Sequence, residues 1–134
     1  MRPSRVLIVD DQPELRLLLT LSLSGADVEL REAANGHEAL VECEAEPPDI
    51  VLLDVMMPGL DGYEVCRRIK ADPHLAGARV VMMTAADQPE QRQRGFDAGA
   101  DHYVSKPFSP GELLQLLGDL TAARRARASA NGTG

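Results

Sequence analysis

Aromatic residues are scarce in this chain: two tyrosines, two phenylalanines and no tryptophan make up 3% of its 134 residues. That leaves little to sandwich a flavin ring. Only two cysteines occur, Cys43 and Cys66, and both fall in predicted helices, so they read as reduced core or half-core thiols rather than a staple or a metal pair. The three histidines, His37, His74 and His102, are scattered without metal-ligand spacing and read as surface residues. No apolar run is long enough to cross a bilayer. The stretch Val6 to Val9 is too short for a signal-peptide core and leads straight into two aspartates, so the protein is expected to stay in the cytoplasm, with no membrane role. Basic charge is also in deficit. A net charge of −7 disfavours direct binding to nucleic acid, because a phosphate backbone is repelled on average.

What remains is a composition of 44% hydrophobic and 26% charged residues, enough for one layered core. Four short apolar runs have strand length and β-branched content: RVLIVD (5–10), DIVLLD (49–54), RVVMMT (79–84) and the weaker DHYVS (101–105). Continuous rather than alternating apolarity predicts strands covered on both faces, as in a parallel sheet. DVELREA (27–33) alternates Val28 and Leu30 with Glu29 and Arg31, which suits a half-exposed edge strand. Helical patterns lie between the strands. The first begins near Gln12 to Pro13 and carries Leu15, Leu18 and Leu19; the second holds Ala39, Leu40 and Cys43; the third holds Val65, Cys66 and Ile69. The fourth, QPEQRQRGFDAG, has hardly any apolar face beyond Phe96, which predicts a loosely held element. The fifth opens with Ser109 as cap, Pro110 first in the helix and Glu112 closing a capping box, and then carries Leu113, Leu116, Leu117 and Leu120. Five such alternations predict a flavodoxin-like α/β fold, (βα)5, with strand order 2-1-3-4-5 and helices on both faces. Residues 1–122 form the expected domain. Residues 123–134 read as a frayed helix end running into a flexible tail or linker, with the arginines there as helix C-terminal charges.

In such sheets the site lies at the carboxyl ends of the strands. Those ends are Asp10 and Asp11 after the first, Asp54 after the third, Thr84 after the fourth and Lys106 after the fifth. Taken singly, each has a plainer reading: Asp11 as a helix cap with Glu14 as its box partner, Thr84 as a strand-end hydroxyl, Lys106 as a solvated lysine, and Asp61-Gly62 as a turn. Taken together they form a site. Clustered carboxylates need protons or a cation between them, and oxygen-only ligands with room for water and phosphate suit Mg²⁺. The formal charges of three carboxylates, Mg²⁺ and Lys106 cancel.

The motifs VDD (9–11), LLDVMMPGLDG (52–62), MTA (83–85) and GADHYVSKPF (99–108) resemble those of the receiver domain of two-component response regulators, over residues 4 to 122. The resemblance implies that Asp54 takes a phosphoryl group from a phosphohistidine on a sensor histidine kinase or histidine phosphotransfer protein. It implies that Asp11, Asp54 and the main-chain carbonyl of Met56 bind Mg²⁺, with Asp10 assisting, and that Lys106 and Thr84 contact the phosphoryl group. It implies a cis Lys106-Pro107 bond, and a switch in which Thr84 moves, Tyr103 turns inward, and the face of the fourth helix, fifth strand and fifth helix changes for a downstream effector domain or protein. Tyr103 also has a simple reading as a half-buried strand aromatic. Met56 and Ala86 lack groups that could orient an attacking water, which predicts a long-lived phosphoaspartate; Met57, Met82 and Met83, with Met56, otherwise read as core or loop packing.

Rival readings fit less well. A flavodoxin-type cofactor binder needs a glycine- and hydroxyl-rich loop where this chain has DDQPE, and an aspartate-nucleophile phosphatase carries D-x-D after its first strand. A contact-only receiver needs no complete acid, threonine and lysine set. Output stays open in the sequence: a stand-alone receiver, or an N-terminal domain cut from a longer protein, with homodimerisation through the fourth-helix face unsupported by any apolar patch legible there.

Overall fold

A computed structural model describes residues 2–84, 88–106 and 109–132. Strands β1 (Ser4–Val9), β2 (Val28–Ala33), β3 (Ile50–Asp54), β4 (Arg79–Thr84) and β5 (His102–Ser105) alternate with helices α1 (Pro13–Leu23), α2 (Gly36–Ala45), α3 (Gly62–Ala71), α4 (Pro89–Asp97) and α5 (Pro110–Gly132). All strand pairs are parallel, in the order β2-β1-β3-β4-β5. This is the flavodoxin-like arrangement expected from the sequence.

The continuous apolar runs become central strands because both of their faces are covered. Leu7, Val9, Val51, Leu53, Val80 and Met82 pack with Ala39 and Cys43 of α2 and with Val65, Cys66 and Ile69 of α3. Their alternates Val6, Ile8, Ile50, Leu52, Val81 and Met83 pack with Leu19 and Leu23 of α1 and with Leu113, Leu117 and Leu120 of α5. β3 is buried along its whole length, Asp54 included. β2, at the edge, keeps its glutamates in solvent.

Caps fix where the helices start. Ser109 Oγ accepts from the Glu112 N–H at 3.1 Å and Glu112 Oε2 accepts from the Ser109 N–H at 3.3 Å, the reciprocal box predicted for α5. Asp61 caps α3, its Oδ1 accepting from the Glu64 N–H at 2.9 Å, so Asp61-Gly62 is a helix start rather than a simple turn. Gly62 has a steric role: a Cβ there would stand 2.6 Å from the Asp54 carbonyl oxygen and 2.8 Å from Val55 Cα. Only glycine lets α3 begin that close to the end of β3.

Several expectations are corrected. Leu18 points outward, 52% exposed, because Leu15, Leu19 and Leu23 form the inner stripe of α1. Leu17 and Leu21 are exposed beside it, an apolar patch the sequence reading did not see. On α4 the buried residue is Gly95 rather than Phe96, which is 45% exposed. The arginines at 124 and 125 do not serve a helix end, since α5 continues to Gly132. Arg124 donates to Ser4 Oγ and to the Arg2 carbonyl, and Arg125 pairs with Asp27 at 2.7 Å, so both tie α5 to neighbouring segments. Met56 is not packing filler: it is 63% exposed. The cysteines are free and buried, and burial pushes both thiols up to about 11.

Candidate functional site

Parallel strands deliver their carboxyl ends to one edge, and this chain places charged or hydroxyl side chains at those ends. Asp10 follows β1 and is fully buried; Asp54 ends β3 and Thr84 ends β4, both nearly inaccessible. Lys106 follows β5, its N–H donating to the Thr84 carbonyl at 2.7 Å, which holds the start of the next segment against β4. One carboxylate oxygen from each of Asp10, Asp11 and Asp54 lies within 4.8 Å of the others, the single group of potential metal ligands among the described residues.

Gathering three acids, two of them buried, is unfavourable unless cations and donors answer them. The Lys106 ammonium stands 3.3 Å from Asp10 Oδ2 and 3.6 Å from Asp54 Oδ1. Asp10 Oδ1 accepts from the Gln12 N–H at 2.9 Å, and Asp54 Oδ1 accepts from the Met56 N–H at 3.1 Å. These do not fully compensate. Burial pushes the Asp54 carboxyl up to about 6; Asp10 and Asp11 add to the rise, while Lys106 and the Met56 N–H oppose it. The N-cap of α1 is Gln12, without a side-chain cap bond, so Asp11 does not serve as a cap. Among the described residues its carboxylate has no hydrogen-bond partner, and Asp11 is more open to solvent than Asp10 or Asp54.

The donor set suits Mg²⁺. All three side chains offer oxygen only, gathered within 4.8 Å of one another, which is the ligand chemistry a hard divalent cation takes, directly or through water. A cleft of about 460 Å³ opens beyond the end of β3, lined by Met56, Pro58, Asp61, Tyr63 and Arg94 among others, with none of the three acids in its lining.

Tyr103 lies on β5 and is half-buried, with the Arg92 guanidinium 5.1 Å from its ring centre and Phe96 at 6.3 Å. Across α4, Arg94 stacks over Tyr63 at 4.1 Å and the Tyr63 hydroxyl donates to the Gln91 carbonyl at 3.3 Å. The helix is thus clasped between two tyrosines rather than seated on an apolar stripe. Gly95 permits the approach, since a Cβ there would meet Met82 Sδ at 2.9 Å. Sequence reasoning did not single out Arg16, which reaches the Asp10 carbonyl at 2.6 Å. The signal was a cation near the N-terminus of α1, where the helix dipole favours acids. The readings on Ala85, Ala86 and the Lys106-Pro107 bond fall on residues 85, 86 and 107, outside the described residues.

Known proteins resemble this chain in sequence and in fold. Residues 6–118 match the family described as response regulator receiver domain. The chain is 42% identical over 114 residues to the transcriptional regulatory protein ResD of Bacillus subtilis, covering 83% of this chain and 45% of ResD. It is 42% identical over 110 residues to the DNA-binding response regulator MtrA of Mycolicibacterium smegmatis, covering 82% of this chain and 47% of MtrA. The chain therefore spans under half the length of these relatives. Among solved structures, the chemotaxis response regulator CheY4 of Vibrio cholerae superposes with a TM-score of 0.83 at 31% identity, over 88% of this chain and 98% of that one. The signal receiver domain of a DNA binding response regulator from Colwellia psychrerythraea gives 0.83 at 30% identity, over 89% and 98%. With its parallel sheet, its acidic pocket of Asp10, Asp11 and Asp54, and Lys106 set against them, the chain belongs to the receiver domains of two-component response regulators, signalling switches rather than classical enzymes.

Proposed function

We propose that Asp54 is the phosphoacceptor, taking a phosphoryl group from a phosphohistidine on a sensor histidine kinase or histidine phosphotransfer protein. The observation that carries this is the convergence of Asp54, nearly inaccessible at the end of β3, with Asp10, Asp11 and Lys106. An Asp54 carboxylate oxygen attacks phosphorus in line, the P–N bond breaks, and its electron pair returns to the donor imidazole. Such a transfer needs placement and charge stabilisation rather than new covalent machinery. Asp11, Asp54 and the Met56 carbonyl would hold Mg²⁺, with Asp10 assisting through water, and the ion when bound supplies charge neutralisation at phosphoryl oxygens. On this reading the Lys106 ammonium serves another oxygen and the Thr84 hydroxyl a further one.

The downstream reading is a shift of Thr84 and Tyr103 that resets the surface of α4, β5 and α5 toward an effector domain or protein, in the cytoplasm. The weak seating of α4 supports it, because an element with little buried surface is cheap to bias. No helix among the described residues is long and apolar enough to cross a membrane. The expected domain, residues 1–122, and the assignment of 123–134 as its exit toward a linker stand as part of the same proposal.

Intact-protein mass after incubation with Mg²⁺ and acetyl phosphate tests the chemistry. Gain of one phosphoryl group in the wild type, lost with Asp54→Asn and with a chelator, is expected; equal labelling of the variant contradicts the assignment.

A further inference from the structure

Asp10 is held at every polar atom. Its N–H donates to the Ala33 carbonyl at 3.1 Å, Oδ1 accepts from the Gln12 N–H at 2.9 Å, and Oδ2 accepts from the Lys106 ammonium at 3.3 Å. The remaining atom, its carbonyl oxygen, accepts from Arg16 Nη1 at 2.6 Å. That carbonyl belongs to the peptide joining Asp10 to Asp11. Among the described residues the Asp11 side chain has no hydrogen-bond partner, so the direction it takes depends on how that peptide is turned. Arg16 is itself braced: its Nε donates to Glu32 Oε1 at the end of β2 at 3.2 Å, and its side chain is only 18% exposed.

We propose that Arg16 is a positioning residue for the acidic pocket, fixing the Asp10–Asp11 peptide so that Asp11 turns toward Asp54 and Mg²⁺ binds. This rests on the reading of the pocket as the Mg²⁺ and phosphoryl site. A planar fork is needed because one guanidinium spans two acceptors, the Asp10 carbonyl and the Glu32 carboxylate, in fixed relative geometry, which an ammonium on a flexible stem does not reproduce. Its position near the N-terminus of α1, against the helix dipole, is answered by these acceptors.

The competing account treats Arg16 as a bystander charge. It predicts the opposite sign: removing a cation beside three carboxylates would tighten Mg²⁺ binding. Isothermal titration of the full chain with Mg²⁺ separates the two, using wild type, Arg16→Met, Arg16→Lys and Glu32→Gln, each also melted in chelator. Loss of a partner that orients a metal ligand costs on the order of tenfold in affinity. The expected result is a Kd about tenfold weaker for Arg16→Met, a comparable loss for Arg16→Lys despite its charge, and a smaller loss for Glu32→Gln, which leaves Arg16 on the Asp10 carbonyl. In the metal-free protein, the ¹⁵N–¹H amide signals of Asp11 and Gln12 should shift in all three variants. Unchanged or tighter Mg²⁺ binding in Arg16→Met, with only its melting temperature lowered, would overturn the proposal and leave Arg16 a structural residue. Failure of the wild type to bind Mg²⁺ would overturn the pocket reading itself, and this inference with it.

Discussion

Asp54 carries the conflict between burial and charge. Its carboxyl sits near 6 rather than 3.8 because it is buried, with Asp10 and Asp11 adding to the rise. A group whose folded pKa is raised contributes stability that is fully present below about 4 and is lost as pH rises through about 6. Metal-free protein should therefore lose stability between about pH 4 and 6, by on the order of 1–3 kcal/mol. Asp54→Asn removes that slope and melts higher at neutral pH in chelator. A wild-type melting temperature that rises from about pH 4 to 6 in chelator, or a variant that melts lower than wild type at neutral pH, would count against the charge conflict. The conflict is functional, because the negative charge that weakens the empty pocket is what attracts a cation into it.

At the scale of elements, α4 stands apart. Its buried residue is a glycine, and its anchors among the described residues include the Arg94–Tyr63 and Arg92–Tyr103 stacks, each worth about 0.5–2 kcal/mol, and the Tyr63 hydroxyl bond. By hydrogen exchange, amides of α4 should exchange fastest among the helices, well ahead of α3, whose Val65, Cys66 and Ile69 are fully buried. Protection of α4 equal to α3 would remove the basis for calling it easily biased. The weakness was legible in QPEQRQRGFDAG, and the strands were legible because doubly covered runs are continuously apolar. The clasp was not legible. Tyr63 and Arg94 lie 31 positions apart by their numbering, and no local pattern announces a contact that only the crossover between α3 and α4 creates. Leu18 was misread for a related reason: three leucines in a row fit several helical stripes, and packing against α5 selects Leu15, Leu19 and Leu23.

At the scale of the whole molecule, the two ends of the sheet have opposite electrostatics. At the end away from Asp54, burial would raise Asp101, but the Lys70 hydrogen bond at 2.6 Å, the Val80 N–H and Arg79 hold it below its ordinary range. Asp49 is held down in the same way, its burial outweighed by Arg2, the Arg5 N–H and Arg124. These groups contribute stability above about pH 4 that is lost as pH falls through their lowered values, the reverse of Asp54. Metal-free protein should be most stable near about pH 4, where the lowered acids are ionised and Asp54 is still protonated, and Mg²⁺ should move that optimum upward. Asp101→Ala should cost about 2–3 kcal/mol by urea unfolding at neutral pH, since it leaves the Val80 N–H unpaired and the Lys70 ammonium with only the Ala78 carbonyl; a loss under about 0.5 kcal/mol would show that the network is dispensable. The site at the other end was largely legible because parallel topology sends every strand's last residue to one edge, whereas Arg16 was hidden in a side-chain to main-chain contact. The central claim is that this edge accepts a phosphoryl group on one particular carboxylate. Borohydride reduction of acetyl-phosphate-treated protein converts an aspartyl phosphate to homoserine, which peptide sequencing by mass spectrometry locates. Homoserine at position 54 and nowhere else is the predicted result; homoserine at position 10 or 11, or none in protein that binds Mg²⁺, would contradict the account.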